Sequence, residues 1–172
     1  PEYGRDFTPL DMAKTWTSSQ PISAYCTAER VAYKNFVNGV YPTESAVYKN
    51  PFREWIGAQI RADYFGYINP GNPELAAEMA WRDASISHVK NGIYGEMFVA
   101  AMIAEADFCN DIKTVIFAGL GEIPENCRLS ADIKKIIDLY DNGASQKDCF
   151  AAIHSQWNEA VGHDWCHTNS NA

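Results

Sequence analysis

The stretch that decides the fold is GIYGEMFVAAMIAEA, residues 92–106. It is apolar on nearly every side, which marks a helix surrounded by protein rather than one lying on a surface. Its uncharged segment MFVAAMIA (97–104) has the length of a core element and falls well short of the roughly 18 residues a membrane span needs. A helix of this kind requires other helices around it, and the flanking sequence supplies them.

Working outward, Thr8–Pro9 reads as a cap followed by proline at the first helical position, with Asp11 in the first turn. Thr27 precedes AERVAYKNFVNG, where Gly39 supplies a stop. Asn72 and Pro73 open ELAAEMAWRDASISHV, with Leu75, Met79 and Ile86 at helical spacing and His88 at its close. IKTVIFAGLGEIP runs out at Gly119 to Pro124. SADIKKIIDLYDNG opens at Ser130, and Ser145 with Asp148 caps a last long helix. Strand signals are thin, repeats are lacking, and only residues 40–52 suggest a longer, proline-interrupted loop. The sequence predicts an all-α, multi-helix domain over residues 1–172.

The 172 residues are 47% hydrophobic and 13% aromatic, a globular composition. Twenty-two acids against 14 bases give a formal charge of −8, a field that repels a long polyanion and argues against nucleic-acid binding, while a small anion can still be held locally. The five cysteines are odd in number and widely spread, with no C-x-x-C. They read as reduced, mostly buried thiols of a cytoplasmic protein. No signal peptide or membrane segment is apparent.

Three places could carry function. REWIGAQIRADYFG (53–66) sets Gln59, Arg61, Asp63 and Gly57 among bulky apolar residues. As one helix, it aligns Ile56, Ile60, Tyr64 and Tyr67 in a stripe, with Gln59 and Asp63 stacked at its edge and a notch at Gly57 open to a ligand. Alternatively 53–58 is a loop and the helix starts near Gln59, its first N–H groups facing the notch. On the residues alone, a satisfied structural network outweighs a binding site. The second place is the junction His88–Asn91–Gly92, where a helix end meets a helix start and Asn91–Gly92 can take a positive φ; a lone histidine there more often meets the helix dipole. The third, His163, Asp164 and His167 with Asn169 and Asn171, is a weak metal signal, because H-x-x-x-H lacks the intervening Glu. No G-x-S-x-G, P-loop, G-x-G-x-x-G or H-E-x-x-H occurs.

Residues 50–104, with G-A-Q-I-R-A-D (57–63) and D-A-S-x-S-H-x-K-N-G (83–92), closely resemble the central segment of the ADP-ribosylglycohydrolase family, within a bacterial subgroup. TAERVAYKNFVNGVYP, GLGEIPENCRLSADI and HTNSNA agree with it too. The resemblance implies an orthogonal all-α bundle and a hydrolase that releases ADP-ribose from a protein side chain or a related ADP-ribosyl compound. It implies two Mg²⁺ (or Mn²⁺) ions, held in relatives by an N-terminal T-D-D-T and a C-terminal D-T-D. Neither string occurs here. The expectation is therefore a central fragment of an incomplete bundle, inactive alone, whose metal ligands and catalytic residues lie outside it. Its abrupt ends, PEYGRDFTP and HTNSNA, fit that expectation.

What the resemblance leaves to this chain is the substrate-side wall. Gly57, Ala58, Gln59 and Arg61 match the segment lining the ADP-ribose cleft, with Asp63 close behind. His88 matches a histidine on the distal side of the ligand, beside Asn91 and Gly92. These polar residues would meet ribose and diphosphate, with aromatic residues flanking adenine. I-G-A-Q-I-R stands where relatives often read N-G-S/A-x-M-R, which points to a different ADP-ribosyl or nucleoside-like substrate. An inactive ADP-ribose-binding or interaction module is the alternative. An incomplete bundle should also expose apolar helix faces, such as that of 92–106, and be marginally stable or self-associate.

Overall fold

The computed structural model describes residues 3–158 and 164–172. Its order is α1 (Pro9–Ser19), α2 (Thr27–Val37), α3 (Asp63–Tyr67), α4 (Pro73–Ala84), α5 (Asn91–Ala106), α6 (Ile112–Gly121), α7 (Arg128–Asp141), α8 (Gln146–Gln156) and α9 (Thr168–Asn171). Short 3₁₀ turns lie between several of them, including one at Gln59–Arg61. Among the described residues there is no strand, only an isolated antiparallel bridge between Trp55 and His167. The fold is all-α, as the periodicity predicts. No helix among these residues is long and apolar enough to cross a membrane.

α5 is the central helix. Ala100, Ala101 and Ala104 on it, and Ala76, Ala80 and Ala84 on α4, are fully buried, so the two backbones approach closely along a seam of methyl groups. α3 packs on the same helix through Gly66, where an added Cβ would sit 2.5 Å from Ile103 Cβ. On another side Phe98 joins Leu120, Ile123 and Leu129, which brings in α6 and α7. The expected exposed face of 92–106 is therefore absent: α3, α4, α6 and α7 cover it. Apolar exposure falls instead on Ile60, Tyr64 and Tyr67, the predicted stripe, each more than 60% accessible.

Helix ends follow local chemistry where side chains reach their own backbone. Thr8 with Asp11 and Ser145 with Asp148 form reciprocal capping boxes, and Asn72 caps α4. Three expectations shift. α2 begins at Thr27 itself, behind Cys26, whose side chain makes no capping hydrogen bond; α7 is capped by the Cys127 thiol and begins before Ser130. α4 ends at Ala84 rather than at His88. The cause lies in the 40–52 segment: Ser45 Oγ donates to the Ile86 carbonyl at 2.8 Å and Asn50 Nδ2 to the Ser87 carbonyl at 2.9 Å. Side chains distant in sequence thus hold residues 85–87 in turns.

The cysteines are free thiols, but Cys26 is exposed and the other four are half-buried. They serve at helix ends and loops rather than in the core. Cys127 Sγ accepts from Ser130 N, and Cys109 Sγ accepts from Asp111 N.

Candidate functional site

Residues 53–58 are turns, and helical structure begins at Gln59. A single helix over 53–66 fails because its peptide groups are engaged elsewhere. Arg53 O accepts from Val89 N at 2.9 Å, Ile56 N donates to Cys166 O at 2.8 Å, and Glu54 O accepts from Thr168 N at 3.1 Å. The segment is thereby laced to the start of α5 and to the C-terminal residues.

Arg61 is the hub of what this lacing encloses. Its Nε donates to Asp83 at 2.6 Å, and its Nη1 donates to Glu29 at 3.0 Å and to Gly57 O at 2.9 Å. Its Nη2 faces Ser87 Oγ at 3.5 Å and Glu96 at 3.7 Å. The guanidinium also lies 5.2 Å from the Trp16 ring centre. Carboxylates from α2, α4 and α5 thus converge on one cation, whose own pKa is pushed up by them against the effect of burial. The Gly57 notch is filled from within: an added Cβ would lie 2.0 Å from Glu29 Oε1.

Glu96 is wholly buried, and neither carboxyl oxygen has a hydrogen-bond partner among the described residues. Burial first, and then the neighbouring Asp83, hold it protonated well above the ordinary 4.5. Glu29 is pushed up from 4.5 more moderately, by burial against the pull of Arg61. A raised folded-state pKa means stability that is present below 4.5 and lost as pH rises through the higher value. Glu96→Gln is therefore expected to unfold later in urea than the parent at alkaline pH and to flatten the pH dependence. Parallel urea melts over about pH 5 to 9 test this, and equal slopes would contradict it.

His88 is fully buried. Its Nδ1 shares a hydrogen bond with Ser87 Oγ at 2.8 Å, and its Nε2 has no partner among the described residues. Burial and then Arg61 keep it neutral, well below 6.5. It does not close α4, so it meets no helix dipole. The junction's positive φ falls on Lys90, at 48°, and not on Asn91 or Gly92. Gly92 is required for close approach: an added Cβ would lie 2.6 Å from the Arg53 carbonyl and 3.1 Å from His88 Cβ. One turn along, Gly95 faces Gln59 Oε1 at 2.9 Å and Thr168 Cγ2 at 2.3 Å on the same measure. Gly92 and Gly95 of α5 thus pack against His88 and Gln59 respectively, both of them buried. Asn91 ties it to its neighbours, donating to Glu54 at 2.8 Å and accepting from Leu129 N at 3.1 Å.

Of the predicted residues, Gly57 bonds Arg61, Gly92 packs on His88, Gln59 packs on Gly95, Asn91 bonds Glu54, and Ala58 is buried. Asp63 is exposed on α3 and takes no part in the network. Sequence reasoning missed Glu29, Asp83 and Glu96. The last carried a signal: an acid midway along a helix that is apolar nearly all round must be buried and needs a partner.

Two recesses adjoin this wall, and Trp55 lines both. The larger, about 850 Å³, is bounded by α1, α2, the 55–61 segment and Trp165. The smaller, about 240 Å³, is lined by Arg53, Glu54, Arg128 and His167.

A family model described as ADP-ribosylglycohydrolase matches residues 2–168, nearly the whole chain. The chain belongs to the ADP-ribosylglycohydrolase family. It is thus an ADP-ribosylglycohydrolase-like protein, in a family of hydrolases that act on ADP-ribosylated substrates and are generally metal-dependent. No curated protein and no solved structure matches it.

The residues described here do not fit a divalent ion. The acids of the site surround a guanidinium, one is held protonated, and among the described residues no group of three or more His, Cys, Asp or Glu is arranged to hold a metal. The weak His163–His167 metal candidate rests on His163, which lies outside the described residues.

Proposed function

We propose that this chain forms the substrate-side wall of a hydrolase that cleaves the glycosidic bond between ADP-ribose and a protein side chain or related compound. The observation that carries the reading is the family match over residues 2–168. The packing of His88 and Gln59 against Gly92 and Gly95 of α5 supports it. Gln59 Oε1 and His88 Nε2 are buried polar atoms with no partner among the described residues. Such atoms are costly unless water or a ligand group meets them.

Arg61 enters this reading as a scaffold. Every nitrogen of its guanidinium already faces an acceptor, so it fixes Gly57 to Gln59 from behind and leaves no fork for a diphosphate. Arg53 and Arg128 line the smaller recess, each with one guanidinium nitrogen engaged, Arg53 with Asn50 O and Arg128 with Glu54, and so with donors left for phosphate oxygens. Gly57, Ala58, Asn91 and Gly92 shape the wall, and Asp63 stands at its outer edge. The two divalent ions, Mg²⁺ or Mn²⁺, would be held by T-D-D-T and D-T-D motifs that this sequence does not contain. Such ions supply an activated water and neutralise developing charge. The chain alone is then a binding surface without hydrolytic activity, in a cytoplasmic setting.

Calorimetry tests both halves. ADP-ribose is expected to bind the chain, and Mg²⁺ to show no tight two-ion site. Tight binding of two ions, or hydrolysis of ADP-ribosylated protein by the chain alone, would overturn the division of labour. ADP-ribose that releases no heat and leaves the thermal midpoint unmoved would overturn the wall.

A further inference from the structure

A third recess, of about 490 Å³, lies where the end of α2 meets the 40–52 segment, lined by Val31, Lys34, Asn38, Val40, Tyr48 and Lys49 around the buried Asn35. No acid lines it, and neither Gln59 nor His88 belongs to it. In a chain of formal charge −8 this is a local reversal of sign. Acids outnumber bases 22 to 14, yet neither Lys34 nor Lys49 makes an ion pair among the described residues. Lys34 stands in the last turn of α2, where a lysine ordinarily serves bare carbonyls. Here those carbonyls are taken. Asn38 N donates to Lys34 O at 3.1 Å, Val40 N to Asn35 O at 2.9 Å and Gly39 N to Phe36 O at 3.0 Å, while Asn38 Nδ2 reaches Lys34 O at 2.7 Å.

Lys49 is held in place by the fold. Its φ is 51°, a conformation that glycine or asparagine adopts more readily than lysine. Its neighbours impose it: Asn35 Nδ2 donates to the Tyr48 carbonyl at 2.9 Å and to the Ser45 carbonyl at 2.8 Å, and Asn50 Nδ2 donates to the Ser87 carbonyl at 2.9 Å. A lysine therefore stands, under backbone strain, where glycine would stand without it. Its Nζ lies 5.2 Å from the centre of the Tyr48 ring.

Two ammonium groups around one acid-free space repel a metal cation and match a ligand of charge −2. A carboxylate neutralises one of them and leaves the other. Lysines act as point charges, without the planar fork that suits a carboxylate. A phosphate dianion brings both charges and several acceptor oxygens, and the valines with the Tyr48 ring leave room for a small ester group. We propose that the recess between Lys34, Tyr48 and Lys49 binds a phosphate dianion, as the free ion or as the monoester of a small molecule. The site goes beyond the ADP-ribose wall and does not require it. The diphosphate of ADP-ribose, with one charge on each phosphate, is not its expected ligand.

The whole chain is titrated with inorganic phosphate, phenyl phosphate and acetate at about pH 8 and constant ionic strength, with backbone-amide NMR as the readout; at that pH both phosphates are dianions. Saturable shifts are expected at Asn38, Tyr48 and Lys49 with the two phosphates and not with acetate. Tighter binding of phenyl phosphate identifies an ester as the source, and tighter binding of the free ion identifies inorganic phosphate. Lys49→Gly removes the ammonium and relieves the backbone, so it is expected to stay folded and to weaken binding about tenfold. Lys34→Gln, on the exposed side of α2, repeats the test at the other cation. Acetate binding as tightly as phosphate, affinity unchanged in both variants, or phosphate shifts confined to Gly57, Gln59, Asn91 and Gly92 would overturn the proposal. Phosphate binding here without ADP-ribose binding would sink the cleft reading and leave this one standing; the reverse result would do the opposite.

Discussion

Arg61→Ala is expected to destabilise the fold by about 3–5 kcal/mol, the cost of leaving buried carboxylates without their counter-charge. Arg61 joins α2 through Glu29, α4 through Asp83 and the 53–58 turns through Gly57 O, so its removal loosens three segments at once. Against the 5–15 kcal/mol typical of a single domain, this is a large fraction. Urea unfolding followed by circular dichroism measures it. Arg61→Lys keeps the charge but not the fork, and is expected to fall between the two. Adding Asp83→Asn to Arg61→Ala removes one stranded carboxylate and should recover part of the loss. A midpoint that barely moves in Arg61→Ala would show that the acids do not depend on the guanidinium.

Gly92→Ala is expected to cost about 1–3 kcal/mol, although alanine is the better helix former at most positions. The added methyl would lie 2.6 Å from the Arg53 carbonyl, a backbone atom fixed by its hydrogen bond from Val89 N at 2.9 Å. Neither side has a flexible end that can move away. The strain should also pass to His88, whose Cβ would stand 3.1 Å from the same methyl. Thermal unfolding gives the first effect, and weakened ADP-ribose binding in the surviving folded protein gives the second. A stabilised Gly92→Ala variant would mean that α5 and the 53–58 turns do not touch as described.

The contrast between these sites explains what the sequence made legible. Helices whose signals are local could be read directly: Thr8 with Asp11 and Ser145 with Asp148 close their capping boxes within four residues. The near-continuous apolarity of 92–106 was enough to place α5 at the centre. The 53–66 stretch remained open because its conformation is set from far away. Cys166 and Thr168 bond its backbone, and no period within fourteen residues records that. α4 stopped early for the same kind of reason, since Ser45 and Asn50 hold carbonyls beyond its end.

The candidate site divides in the same way. Gly57, Gln59, Arg61, His88, Asn91 and Gly92 lie in two short motifs, and the fold brings those motifs together. Their roles were less visible. The resemblance places Arg61 in the lining of the ADP-ribose cleft, whereas three acids from three different helices engage it in the kind of structural network that the residues alone favoured. Gly57 reads as an open notch until Glu29 fills it.

The central claim is that the 57–61 segment and the start of α5 form one surface for ADP-ribose. Backbone-amide NMR of the folded chain, with ADP-ribose titrated in, tests it most directly. The account predicts saturable shifts at Gly57, Gln59, Asn91 and Gly92. Shifts confined to α7 and α8, or no saturable shift at all, would contradict it.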